Sequence, residues 1–450
     1  MATYHVDNNL YDGHAEGVCQ ARGGLNNDQV KLAAAAESGS VYEGYGITVW
    51  KTSDGSNLQR RRITVYDGST KVATVNANWN VNPDENYSYE ITVGSDANTG
   101  ANEGTGSTGA WRTLQKAMDT VAAGDTVWVK AGRAHTDDDD GDGYCAKIQT
   151  AGGSRNPISF IGYKSSKGDA DTYRVAHPEL HPSDSSFDDY RVVLDGDAGN
   201  LNHGFLTTIV SNYYIFENFR LTRFNTAGFY ANSGEEITLR NCRSHLNMLG
   251  IVTEHPCWFE DCCIDNNTNV GLFGGGTVLN CDFHGNDCGI TARSQVVALF
   301  NRIYENSGDG FNAIATYSNQ VVCNNTFVGK DQATGKRAIA FPDYQAGETV
   351  INNIIHDFDI GIWAASDLGA QCVVRNNLFT NVNAPRVNFP EGMGDVIADD
   401  PKFVDEANGD YRLRYDSPAR GAGIPLGIDI GAEQRKEIAT HSPTDAGVQT

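Results

Sequence analysis

The chain has 450 residues, with 34 Lys and Arg against 57 Asp and Glu, a formal charge of −23, and 40% hydrophobic and 20% charged residues. This balance is globular rather than disordered, and its sign repels phosphate backbones, so no nucleic acid partner is expected. Solubility is the bland reading of the same charge, and no apolar run approaches the ~18 residues of a bilayer-crossing helix, so no membrane insertion is expected.

The first residues, Met1 to Asp7, carry neither the basic nor the apolar region of a secretory leader. Residues 1–40 read as an N-terminal arm, with a helix expected over Asn27–Glu37, capped by Asn26 or Asn27 and stopped at Gly39. Residues 41–93 change period. Gly46–Trp50, Arg62–Tyr66, Lys71–Val75 and Tyr87–Val93 alternate as strands, with turns at Asp67-Gly68-Ser69 and Asn82-Pro83-Asp84, and predict a small antiparallel β module. The Gly-, Ser- and Thr-rich stretch 94–109 is a linker. A helix follows at Trp111–Ala122 with Leu114, Ala117, Met118 and Val121 on one face, then a strand at Thr126–Lys130. Such a helix caps the open edge of a stacked fold.

Residues 110–433 are expected to form one solenoid domain, and within it the chain repeats. Phe216-Glu-Asn-Phe-Arg-Leu, Leu239-Arg-Asn-Cys-Arg-Ser, Phe259-Glu-Asp-Cys-Cys-Ile, Val278-Leu-Asn-Cys-Asp-Phe and Leu299-Phe-Asn-Arg-Ile-Tyr align, and three further lines continue them. Asn218, Asn241, Asp261, Asn280, Asn301, Asn324, Asn352 and Asn376 mark the turns, because Asn tolerates a left-handed corner and its amide can pair with the coils on either side. Gly228, Gly250, Gly271, Gly289, Gly310 and Gly361 form a second landmark before a short apolar strand. The period predicts a wound parallel sheet; the Leu frame of a leucine-rich repeat is absent. Cys242, Cys262 and Cys281 share one slot and read as stacked buried thiols rather than disulfides. No close pair of Cys or His recurs at zinc-ligand spacing. Residues 434–450 are a C-terminal tail.

Trp111–Ala117 with Ala123–Gly132 resembles the opening of right-handed parallel β-helix proteins of the pectate-lyase-like superfamily. Asp400–Val404, Gly409–Leu413, Ser417–Gly423 and Asp429–Ala432 resemble their closing segment. The resemblance implies an all-β, right-handed parallel β-helix with an N-terminal capping helix. Arg61–Val75 with Trp79 is similar to a β module of phage structural proteins. Together these resemble a tailspike or other virion appendage. That implies a homotrimer on the phage particle, attached to other virion proteins through its N-terminal region and facing a cell-surface polysaccharide. A non-catalytic decoration protein and a free polysaccharide lyase or glycoside hydrolase are the alternatives. No segment matches the catalytic motifs of pectate lyases, so no catalytic residue carries over.

The chemistry expected follows from alternation along the strand after each Gly landmark. Its outward slot holds Tyr230, Val252, Phe273, Thr291, Asn312, Ala340 and Trp363, and the next outward slot includes Glu254 and Arg293. Tyr230, Phe273, Arg293 and Trp363 are therefore the candidate substrate-binding residues; packing under loops or against a sister subunit is the structural alternative. Glycoside cleavage needs two carboxyl groups ~5–9.5 Å apart, and the candidate catalytic residues are Glu254 with Glu235 or Glu236, and Asp287 with Asp309. Glu254 and Asp343 are too many coils apart to serve one bond. His203, His255 and His284 are further acid–base candidates. Asp138, Asp140 and Asp142, followed by Gly143, match the opening of a calcium loop, although position twelve is Gln149 rather than Glu. Ca²⁺ is the one cofactor expected; the alternative is a solvated acidic loop.

Overall fold

The computed structural model describes residues 2–6, 15–34, 36, 42, 46–53, 56–92, 113–132, 134–135, 143–148, 150–177, 180–196, 201–207, 213–232, 236–314, 319–330, 332–342, 347–367, 372–425 and 427–434. They fall into two compact units. The first comprises Met1–Pro178, Ser185–Asp195 and Asn212–Arg220; the second comprises Glu179–Asp184, Gly196–Ser211 and Leu221–Thr450.

The first unit contains a six-stranded antiparallel sheet in the order Ala15–Val18, Tyr87–Thr92, Gly46–Lys51, Gln59–Asp67, Val72–Val75, Gln29–Lys31. Its own core gathers Val30, Leu32, Ile47, Val49, Ile63, Tyr66, Trp79, Tyr89 and Ile91. Among the described residues of the expected helix Asn27–Glu37, no helix is formed: Gln29–Lys31 is an edge strand paired with Val72–Thr74. Val30 and Leu32 are both fully buried, a period of two, so pairing at the sheet edge overrides the helical preference of the alanine run. Thr3–Val6, read as part of an arm, pairs in parallel with Thr126–Val129 of the first coil. The capping helix runs Leu114–Thr120, with the Thr113 hydroxyl accepting from the Lys116 N–H, and buries Leu114, Ala117 and Met118.

The second unit is a right-handed parallel β-helix with three short strands per coil. Leu249–Thr253, Cys257–Glu260 and Cys263–Asp265 are the first, second and third strands of one coil. In the next coil the first two strands run together as Val270–Leu279, followed by Asp282–His284. Every stack pairs in parallel: Ile251 with Leu272, Phe259 with Val278 and Ile264 with Phe283.

The corner between second and third strands is left-handed at Asn241, Asp261, Asn280, Asn324, Asn352 and Asn376, with φ of 49–57°. One coil departs from the sequence alignment. Leu279 pairs with Leu299, so the corner residue there is Phe300, at φ 57°, and Asn301 sits one place later. That place is the interior slot of Cys242, Cys262 and Cys281, and Asn301, Asn325, Asn353 and Asn377 continue the same column. All ten cysteines are free thiols. The Asn301 backbone N–H donates to Asn325 Oδ1 at 2.9 Å, Asn325 to Asn353 at 3.0 Å and Asn353 to Asn377 at 3.1 Å. Each Nδ2 also donates to a carbonyl of the preceding coil, as Asn325 does to Ala298 at 3.0 Å. The main amide ladder therefore runs inside the wall, one residue beyond the predicted corner.

A second interior ladder, Asn247–Asn267–Asn286–Asn306, follows the third strands. It explains the glycine landmark. A Cβ on Gly250 would lie 2.4 Å from the Gly271 carbonyl oxygen and 2.9 Å from Asn267 Nδ2, so no side chain fits. The closing segment packs Phe403, Tyr411, Ala419 and Ile430 over Val328, Ile354 and Leu378, covering the outward face of the third strands.

Candidate functional site

Strand register builds one row on the first strands. Leu206, Tyr230, Val252, Phe273, Thr291, Asn312, Ala340, Trp363 and Val387 are successive partners, one per coil. This is the outward slot read from alternation. Its inward neighbours Phe229, Ile251, Leu272, Ile290, Phe311, Ile339 and Ile362 are buried. Tyr230, Phe273 and Trp363 are half-buried, with small residues between them. At ~4.8 Å per coil, Tyr230 and Phe273 lie ~10 Å apart along the stack, and Phe273 and Trp363 ~19 Å.

Two of these rings carry an arginine. Between Ala292 and Val296 the chain has two residues more than between Gly274 and Gly276 in the coil before, and the register shifts there. Arg293, in this bulge, lies over the Phe273 ring, 5.0 Å from its centroid, and pairs with Glu254 at 2.9 Å. Arg337 lies 4.5 Å from the Trp363 centroid and is ion-paired to Asp309, which also accepts from the Arg337 backbone N–H at 3.2 Å. Tyr230 packs against His203, ring centroids 4.9 Å apart; burial lowers the His203 pKa.

Three of the carboxylates expected to work in pairs, Glu254, Asp309 and Asp287, are engaged elsewhere, and Glu236 is exposed. Glu254 neutralises Arg293, Asp309 orients Arg337, and Asp287 accepts from the Ser307 hydroxyl at 3.0 Å. The bonds from Gly308 N to Asp287 O and from Gly289 N to Asp309 O place Asp287 beside Gly308, so Asp287 and Asp309 do not face each other. An offset of one residue turns neighbouring strand side chains to opposite faces. Glu235, Asp343, Asp138, Asp140 and Asp142 lie outside the described residues, and so does the proposed Glu254–Glu235 pair. His255 is exposed.

Sequence reasoning missed a second polar cluster on the outward side of the third strands. Arg243 and His245, Cys263 and Asp265, Asp282 and His284, Arg302 and Tyr304 form a grid two residues wide over four coils. Arg243 grips Asp265 by two bonds of 2.9 Å, and His245 Nδ1 lies 2.6 Å from it. Arg302 pairs with Asp282 and, at 3.0 Å, with Glu433 of the closing segment, while the Ser183 N–H donates to Asp282 at 3.0 Å. Burial works against the Asp265 charge, but hydrogen bonds from His245 and Arg243 hold its carboxyl well below the usual range. Burial pushes Asp282 up to about 8, outweighing the hydrogen bonds from Ser183, and it also lowers Arg302. Burial also lowers His284. The available signal was the coil period itself: Cys263-x-Asp265 is followed by His284 one coil later.

No protein-family model matches the sequence, and no curated protein matches it. Among solved structures, pectate lyase Pel9A is similar over 74% of this chain and 94% of that one, at 17% identity and a TM-score of 0.50. A rhamnogalacturonan lyase is similar over 75% and 94%, at 14% identity and a TM-score of 0.40. An alginate lyase from Paenibacillus sp. str. FPU-7 is similar over 60% and 73%, at 13% identity and a TM-score of 0.26. The likeness to Pel9A is one of fold alone.

Proposed function

We propose that this β-helix binds a polysaccharide along the row Tyr230–Phe273–Trp363. The observation that carries the reading is the register. Rings and guanidinium groups recur on one outward face at coil spacing, with small residues between them. Aromatic faces stack on sugar rings, and arginines already fixed by carboxylates donate to hydroxyl or carboxylate oxygens with little further loss of entropy. The fold shared with a solved pectate lyase supports a polysaccharide as the ligand and elimination as the reaction class to assay. Arg293 then acts as a fixed positive charge, since a guanidinium keeps its proton.

The same proposal places the chain on a phage particle as a tailspike-like trimer, attached to other virion proteins through its N-terminal region. The resemblance of Arg61–Val75 to a phage β module and the separate core of that module support it. Calcium at Asp138, Asp140 and Asp142 is the metal this reading includes.

The test is a panel of soluble acidic and neutral polysaccharides, measured for binding by calorimetry and for cleavage by the ultraviolet absorbance of an unsaturated product. Saturable binding is the expected result. Product absorbance would add lyase activity; new reducing ends without it would instead indicate hydrolysis. No binding to any member of the panel, with the protein found firmly incorporated in particles, would replace the proposal with the decoration-protein reading.

A further inference from the structure

We propose that Cys263, Asp265 and His284 form a binding site for one thiophilic divalent metal ion, with zinc as the fitting ion. Cys263 and Asp265 are two residues apart on one strand and point to the same face, and Asp265 pairs in register with His284 of the next coil. Thiol, carboxylate and imidazole therefore converge, and their ligand atoms all lie within 4.8 Å of one another. Cys263 Sγ is 3.3 Å from Asp265 Oδ1 and 3.9 Å from His284 Nε2. Bonds of ~2.0–2.3 Å to a tetrahedral zinc put its ligand atoms roughly 3.3–3.6 Å apart, so the Cys263–Asp265 pair already stands at ligand separation and His284 must draw in to seat the ion.

The surroundings suit the ion. Arg243, His245 and Asn266 hold the Asp265 carboxylate in place, the outer-shell support that ligating carboxylates need. Cys263 and Asp265 are fully buried and His284 is only half-buried, so the imidazole side is the entry path and leaves the fourth position to water. The mixed sulfur, nitrogen and oxygen donors favour zinc over calcium or magnesium. Complete burial of the thiol excludes a bulky substrate, so the trio is read as a metal seat rather than a nucleophilic site. Such an ion would tie two adjacent coils together beneath the closing segment. The seat lies on the third strands and does not depend on the sugar reading of the first.

The experiment titrates the full-length chain, stripped with chelator, with zinc and with cobalt(II). One equivalent should bind per chain. Cobalt should give a thiolate charge-transfer band with the strong ligand-field absorption of a tetrahedral site. Cys263→Ser should abolish that band, and both Cys263→Ser and His284→Ala should weaken binding by at least about 100-fold. If either variant does not fold by circular dichroism, the unmodified chain decides: its melting temperature should rise with zinc and not with magnesium. No stoichiometric binding by the unmodified chain, or a charge-transfer band that persists in folded Cys263→Ser, overturns the proposal.

Discussion

The guanidinium carbon of Arg337 lies 4.5 Å from the centroid of the Trp363 ring while the same group is closed on Asp309. The arginine is thus fixed before any ligand arrives, and its ring is left half-buried on the outward row. Trp363→Ala should lower polysaccharide affinity about 10-fold, or ~1.4 kcal/mol, with little change in melting temperature. Calorimetry on the folded variant checks this, and an unaltered affinity counts against a role for the ring.

The interior amide ladder should matter more to stability than the visible corner asparagines. Asn325→Leu strips partners from the Asn301 amide and the Ala298 carbonyl inside the wall. It should cost about 3 kcal/mol or more. Asn280→Leu, at an exposed corner with one amide bond to Asp261, should cost about 1–2 kcal/mol, mainly through left-handed strain. Denaturant melts of the two variants check the order; equal costs would contradict it.

The sequence made the coils legible because each coil repeats the same corner chemistry, although the marker residues are 19 to 28 positions apart. The outward row could be named residue by residue from alternation alone, and register from Leu206 to Val387 agrees. What escaped was register at single-residue precision. The Asn-Asn pairs 324–325, 352–353 and 376–377 hid which member turns the corner and which enters the wall, so Asn301 was aligned one place early. The ion pairs of Glu254 and Asp309 escaped for another reason. Glu254 and Arg293 share the next outward slot two coils apart, but slot position alone does not report that their charges close on each other, and Arg337 faces Asp309 across 28 residues of sequence. The helix expected at Asn27–Glu37 failed because local propensity does not report an available sheet edge.

Glu348 predicts a pH dependence. It is fully buried, Oε2 accepts from the Gln320 N–H at 2.7 Å, and Oε1 has no hydrogen-bond partner among the described residues. Burial pushes its carboxyl up to about 7. The folded chain then binds more protons than the unfolded chain between the unfolded carboxyl value and about 7, so stability falls as pH rises through that window. The loss is about 3 kcal/mol at most, from ~1.4 kcal/mol per unit. Glu348→Gln should remove this slope and melt higher than the unmodified chain at neutral pH. Parallel pH–stability curves for the two would contradict the assignment.

Calcium at Asp138, Asp140 and Asp142 predicts that a calcium-selective chelator lowers the melting temperature and that added calcium restores it. An identical melt with and without chelator dismisses the loop as a calcium site.

Diffraction from crystals grown with a bound oligosaccharide tests the outward row most directly. Sugar rings should lie across Tyr230, Phe273 or Trp363, with oxygens within hydrogen-bonding reach of Arg293 or Arg337. Sugar bound on another face, with those three rings covered by a neighbouring subunit, would contradict it.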